Sequence, residues 1–153
     1  MGRRRNAGKK EDHCNKRYEG IVMCKVGDII VVKNYKSQGT SISKHSFVVL
    51  STEQGKITGL EYDLVCNVMS SFHSEEHRKS KMKFPGNFEY SAEQENIAKG
   101  HGKDGYIKAE QFYYFDRSKT DFYVLGNVAP ELFNALLEFI SGLEEIEHIV
   151  DNL

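Results

Sequence analysis

The run His77-Arg78-Lys79-Ser80-Lys81-Met82-Lys83 is the densest set of cations in the folded part of the chain. Ammonium and guanidinium groups this close together suit the phosphates of a nucleic acid, where each contact releases a counterion and makes binding salt-sensitive. Tyr35, Phe72 and Phe84 lie in the flanking loops, and rings of this kind stack on bases splayed from a single strand. The plainer use of such a run is a solvated loop. Lys108 and Glu110 are two apart, so on a strand both would point to one face; a surface ion pair is the ordinary outcome. His73 and His77 invite a metal, but no Cys or carboxylate pattern partners them, and we expect none.

Short strands must carry most of these groups. Val26–Lys33 is rich in β-branched residues, and Ser46–Thr52 is a short buried-type run. Leu60–Ser70 is mostly strand-like, Phe88–Tyr90 forms a short strand, and Gly105–Ala109 and Phe122–Leu125 supply two more. Many short strands with polar turns predict a small, strongly bent sheet or barrel. Phe72–Gly86 reads as a connection, and 87–103 as a polar loop with one helical turn. One helix is plain: Pro130 suits its first turn, and Gly142 its stop. Leu132, Phe133, Leu136, Leu137 and Ile140 recur between them at helical spacing as one apolar face.

Composition bounds the reading. A length of 153 residues fits one core with short appendages, and 39% hydrophobic with 28% charged residues is a globular composition. No apolar run reaches the ~20 residues a membrane-spanning helix needs, and the basic N-terminus lacks an apolar signal core. Cys14, Cys24 and Cys66 are odd in number and widely spaced, which fits reduced thiols in a cytoplasmic protein. The net charge is −1, so no global field draws the chain to nucleic acid. Residues 1–22 nevertheless hold a surplus of four positives and no apolar periodicity, and read as a flexible basic arm. Residues 23–143 are then the domain, with Met23 an alternative start, and 144–153 an acidic tail.

Three anchors in order carry a family resemblance. Gly27-Asp28-Ile29 opens the first strand. A polar loop from Asn34 to Ser43 then leads into Lys44-His45-Ser46-Phe47-Val48-Val49-Leu50. Last, the segment through Glu110-Gln111 and a polar turn at Asp116–Lys119 runs on to the Pro130 helix. Together they resemble the MazF/PemK family, small ribonuclease toxins of bacterial toxin–antitoxin pairs. The resemblance covers about Lys25 to Leu143. It implies an α+β, mainly β fold: an SH3-like small barrel of the MazF/PemK/CcdB kind, capped by a C-terminal helix.

It also implies sequence-specific cleavage of single-stranded RNA with no metal or other cofactor. The ribose 2′-OH attacks the adjacent phosphorus and leaves a 2′,3′-cyclic phosphate and a 5′-hydroxyl. Its implied partners are RNA, a second copy of the chain and a small antitoxin, with no DNA or membrane. The family's Arg at the start of the second strand, usually in an Arg-Pro pair, is replaced here by His45, with Lys44 beside it to supply fixed charge. An imidazole is better suited than a guanidinium to exchanging protons near neutrality. The family's Thr/Ser position matches Ser70, with Ser71 one step on. Some PemK-type members use a basic residue and a carboxylate where Lys108 and Glu110 stand, so Glu110 would take the 2′-OH proton and Lys108 steady the phosphate. Lys36, Lys44, Ser71, Arg78, Lys79, Lys81 and Lys83 are the expected RNA contacts, and the Asn34–Lys44 loop the expected antitoxin contact and lid. A non-catalytic SH3-like module binding RNA or protein is the alternative, favoured by the missing Arg-Pro pair.

Overall fold

The computed structural model describes residues 17–18, 21–37, 40–41, 44–97 and 102–153. Most of the basic arm, and residues 38–39 and 42–43 of the expected lid, lie outside the described residues, as do 98–101. Nine strands build the main sheet: β1 Asp28–Val32, β2 His45–Ser51, β3 Leu64–Ser71, β4 Asn87–Tyr90, β5 Glu95–Asn96, β6 Gly105–Lys108, β7 Gln111–Phe115, β8 Phe122–Val128 and β9 Glu147–Ile149. The helices are α1 Glu75–Lys81 and α2 Pro130–Ser141. The strands run β4–β6–β3–β2–β1–β8–β5 across the sheet, with β7 also on β3 and β9 beside β7. The protein is mainly β, with its sheet curled into a half-barrel. Among the described residues, no helix is long and apolar enough to cross a membrane.

Gly27-Asp28-Ile29 earns its place physically. The Asp28 N–H donates to the Lys25 carbonyl at 3.0 Å, closing a turn whose third residue, Gly27, has a φ of +88°. Only glycine takes that conformation at little cost. The buried Asp28 carboxylate accepts the Lys25 N–H at 2.9 Å and lies 3.3 Å from Lys25 Nζ, so it is both hydrogen-bonded and paired. Ile29 then begins the core.

The central strands β1, β2 and β3 are buried on both faces, with their side chains dividing by the two-residue period. Ile29, Val48 and Met69 pack with Leu132 and Leu136 of α2, whereas Ile30, Phe47 and Val68 pack with Tyr35, Tyr113 and Phe115. Each such large side chain contributes about 1.5–3 kcal/mol on burial. Pro130 opens α2 and Gly142 caps it, as its sequence predicts, while Leu137 remains exposed at 42%.

Three elements differ from expectation. The Phe72–Gly86 connection contains α1, whose capping is strong and whose apolar content is nil. Ser74 Oγ accepts the His77 N–H, Glu75 and Glu76 fill the first turn, and Arg78, Lys79 and Lys81 the last, with no residue buried. Periodicity therefore had nothing to register. The acidic tail includes β9, which pairs in parallel with β7 through Gln111–Glu147 and Tyr113–Ile149. Finally, β6 and β7 follow one edge of β3 as a single path interrupted at Ala109-Glu110. Ile107 opposes Met69, but Tyr113 opposes Cys66, so the register slips between them. The alternation needed to put Lys108 and Glu110 on one face thus ends at Lys108, the last residue of β6. The buried Asn67 holds the interruption, its Nδ2 donating to the Gln111 carbonyl at 2.8 Å and to that of Ala109 at 3.4 Å. Cys24 and Cys66 are free thiols, with burial pushing Cys24 up to about 11 and Cys66 well above its ordinary value.

Candidate functional site

A cleft of about 730 Å³ opens where β3 ends and β6 begins, lined by Ser70, Ser71, Phe72, His73, His77, Lys81, Lys103 and Tyr106. A second hollow of about 510 Å³ adjoins it, sharing Phe72, His73 and Lys103. Sheet register builds the floor. Tyr106 stands opposite Ser70, and Gly105 opposite Ser71. Cross-strand partners turn to the same face. A Cβ on Gly105 would strike the Ser70 carbonyl and the Tyr90 hydroxyl, so this close approach requires glycine.

Helix α1 forms the wall. Its Ser74 cap sets the helix start, and the following turns bring His77 and Lys81 to the cleft. The Phe72 and Tyr106 rings are stacked with centroids 5.4 Å apart. His73 and His77 lie nearly parallel, 4.4 Å apart and inclined by 4°. The His73 backbone N–H donates to His77 Nδ1 at 3.1 Å. Desolvation foremost, then the charges of His73 and Lys81, holds His77 below the ordinary histidine value. Neither Lys81 nor Lys103 has a carboxylate within ion-pair distance among the described residues.

The expected residues divide among several places. Ser70, Ser71 and Lys81 line the cleft. His45 does not, although it begins β2 one residue beyond the last rung, Ser46–Met69, at the end where Ser70 also lies. Its half-buried ring rests 4.6 Å from that of Tyr35. Lys108 is half-buried on β6, opposite Asn87. The Glu110 carboxylate lies against Gly86, its Oε1 buried with no hydrogen-bond partner among the described residues. Gln111 is structural, donating to Glu147 at 3.1 Å and accepting from Tyr113 at 3.2 Å.

Arg78 is largely occupied. Its Nε and Nη2 reach the two Glu89 oxygens at 2.8 and 3.0 Å, and its Nη1 reaches Glu75 at 3.2 Å. Hydrogen bonding to Glu89 raises its affinity for the proton further. It lines the adjoining hollow rather than the cleft. Lys79, Lys83 and Lys44 are exposed and stand outside both. Lys36 belongs elsewhere: its backbone is clasped by Asn152 at 2.7 and 3.2 Å, and it borders a small cavity with Lys119 and Leu153.

The sequence reading missed Lys103 and Tyr106, and gave His73 and His77 no role beyond an unsupported metal and, for His77, a place in the cationic run. The signal for the histidines was Ser74-x-x-His77, an N-terminal cap pattern with imidazole at the usual acid position. Nothing local marks Tyr106, because only the pairing with Ser70 brings it to the site. The assembled groups offer two serine hydroxyls, two imidazoles, two ammonium groups with no carboxylate partner among the described residues, and a stacked aromatic pair along an open trough. This suits a polyanion bearing flat bases. The chain matches no protein-family model and no curated protein.

Proposed function

We propose that this chain is a MazF/PemK-like endoribonuclease with an SH3-like barrel, cleaving single-stranded RNA by attack of the ribose 2′-OH without a metal. One observation carries the reading: Ser70, the residue matched to the family's Thr/Ser, borders a cleft with stacked aromatic rings and two lysines that have no carboxylate partner among the described residues. Phosphates lie along Lys81 and Lys103, a base stacks on the Phe72–Tyr106 pair, and Ser70 donates to a non-bridging phosphoryl oxygen. The bond from the 2′-oxygen to phosphorus forms as the bond from phosphorus to the 5′-oxygen breaks. The proton lost by the 2′-oxygen is matched by one gained at the 5′-oxygen. As a toxin of this type the chain would pair with itself and be silenced by a small antitoxin laid over the cleft. We assign His45 to packing with Tyr35 rather than to proton transfer.

Purified full-length protein is expected to cleave a labelled single-stranded RNA in EDTA, leaving cyclic-phosphate and 5′-hydroxyl ends. A single deoxyribose at the cut position should block it. Ser70→Ala should lower the rate about 10²–10³-fold, the usual effect of losing one such donor. RNA left intact by a folded sample would overturn the reading. The alternative, a non-catalytic SH3-like module for RNA or protein, draws support from the Glu110 carboxylate, which lies on Gly86 rather than in the cleft. That module would bind RNA without cutting it.

A further inference from the structure

His73 and His77 stand in one cleft, yet their surroundings give the two rings different capacities. The His73 backbone N–H occupies the lone pair of His77 Nδ1 at 3.1 Å. A ring that accepts through Nδ1 is neutral and carries its proton on Nε2. To become a cation, His77 would have to give up that bond, in a partly desolvated place already facing His73 and Lys81. The ring is therefore biased toward the neutral form, with Nε2 left to donate. His73 is exposed, and among the described residues its ring accepts and donates no hydrogen bond. The parallel stack at 4.4 Å also opposes two cations together. Groups facing the pair from the other elements are Lys103 and Tyr106 on the β6 side, Ser70 and Ser71 on β3, and Lys81 on α1. Glu75, Arg78 and Asp104 line the adjoining hollow, which His73 also borders.

We propose that the pair divides the reaction between its members: His77 donates from Nε2 to a non-bridging phosphate oxygen, and His73 takes the proton from the 2′-OH. This rests on the RNA-cleaving reading above and supplies the base it lacks. As the 2′-oxygen bonds to phosphorus its proton passes to the free nitrogen of His73. The 5′-oxygen departs with the electron pair of the broken bond and takes a proton from the Lys81 ammonium. Water then returns the proton from His73 to Lys81, leaving the protein unchanged.

A purely structural role for His77, that of capping α1, predicts something else. The test uses the full chain on saturating RNA in EDTA, under single turnover from pH 5 to 9, so that changes in affinity do not enter. His77→Gln keeps an acceptor for His73 and a side-chain donor, and should hold the rate within about tenfold. His77→Glu keeps the cap acceptor but has no donor, and should lose about 10²–10³-fold. His73→Gln should lose about 10²–10⁴-fold and with it the acidic limb of the pH–rate profile. Imidazole nitrogen NMR of the wild type, independent of any variant's folding, should show His77 neutral with Nδ1 unprotonated at pH 6. Equal rates for His77→Gln and His77→Glu, an acidic limb surviving in His73→Gln, or a cationic His77 at that pH would overturn the assignment. An inert wild type would instead sink the nuclease reading, and this proposal with it.

Discussion

Gly105 and Ser70 show how one backbone atom can set a side chain of the cleft. Because a Cβ at 105 would meet the Ser70 carbonyl, β6 can lie this close to β3 only with glycine there. Gly105→Ala must push β3 or Tyr90 aside, and overpacking of this kind costs about 1–3 kcal/mol. The cost should appear as a lower midpoint in denaturant with an unchanged slope. Cleavage by the still-folded fraction should fall as well, because Ser70 and its partner Tyr106 move with their strands. An unaltered midpoint would mean that β6 and β3 are looser than their register implies. Ser70 was legible through the resemblance, since a hydroxyl at a strand end has no distinctive local pattern. His45 was legible as chemistry but misplaced as geometry. Its position on β2 is near that of Ser70, but its ring turns to Tyr35, a contact made across a loop that residue types do not encode. His77 was visible as a residue while its tautomer was not, because the bond fixing it comes from a backbone N–H four positions earlier.

Strands and the terminal helix were legible because each is apolar enough to announce its period. β1, β2 and β3 lie close to the predicted runs, and Pro130 and Gly142 bound α2 for the reasons of φ and capping that predict them. Helix α1 escaped because all its signals are in its caps and none in a buried face. The interruption at Ala109-Glu110 escaped for a different reason. A local alternation cannot reveal that β3 continues past it with Asn67 opposite. Asn67 is fully buried, and its Nδ2 serves carbonyls on both sides of the interruption. Asn67→Ala would leave those carbonyls short of a donor inside the protein, at a cost of about 1–3 kcal/mol. For a chain of this size that is a fall in Tm of roughly 2–12 °C. Amide exchange at Gln111 and Phe112 should accelerate more than in β1, which shares no bond with the loop. Equal acceleration in both strands would show that Asn67 supports the whole sheet rather than the β6–β7 passage.

Whole-molecule charge decides how the protein would hold the proposed RNA. With a net charge of −1, attraction cannot come from a general positive field and must come from cations gathered at one place. Arg117 and Arg78 are engaged with carboxylates, Asp63 in one case and Glu89 with Glu75 in the other. Lys81 and Lys103 border the cleft without such partners among the described residues, while Lys79 and Lys83 stand exposed on and just after α1. Among the described residues, two to four phosphate contacts are therefore expected at the cleft and α1. For a single strand each contributes a slope of about −0.7 in a plot of log affinity against log salt concentration. These contacts should contribute a slope of about −1.4 to −2.8, measured by fluorescence anisotropy with a non-cleavable 2′-deoxy analogue. Lys81→Gln and Lys103→Gln should each flatten it by about 0.7, whereas Lys36→Gln, on the cavity beside Leu153, should leave it unchanged. Arg78→Gln is the sharpest comparison. Its guanidinium is the most strongly hydrogen-bonded of the cations in the 77–83 run, so removing it should cost stability through the stranded Glu89 while barely moving the slope. A slope that responds to Arg78 and not to Lys81 would move the RNA path out of the cleft and onto the outer surface of α1.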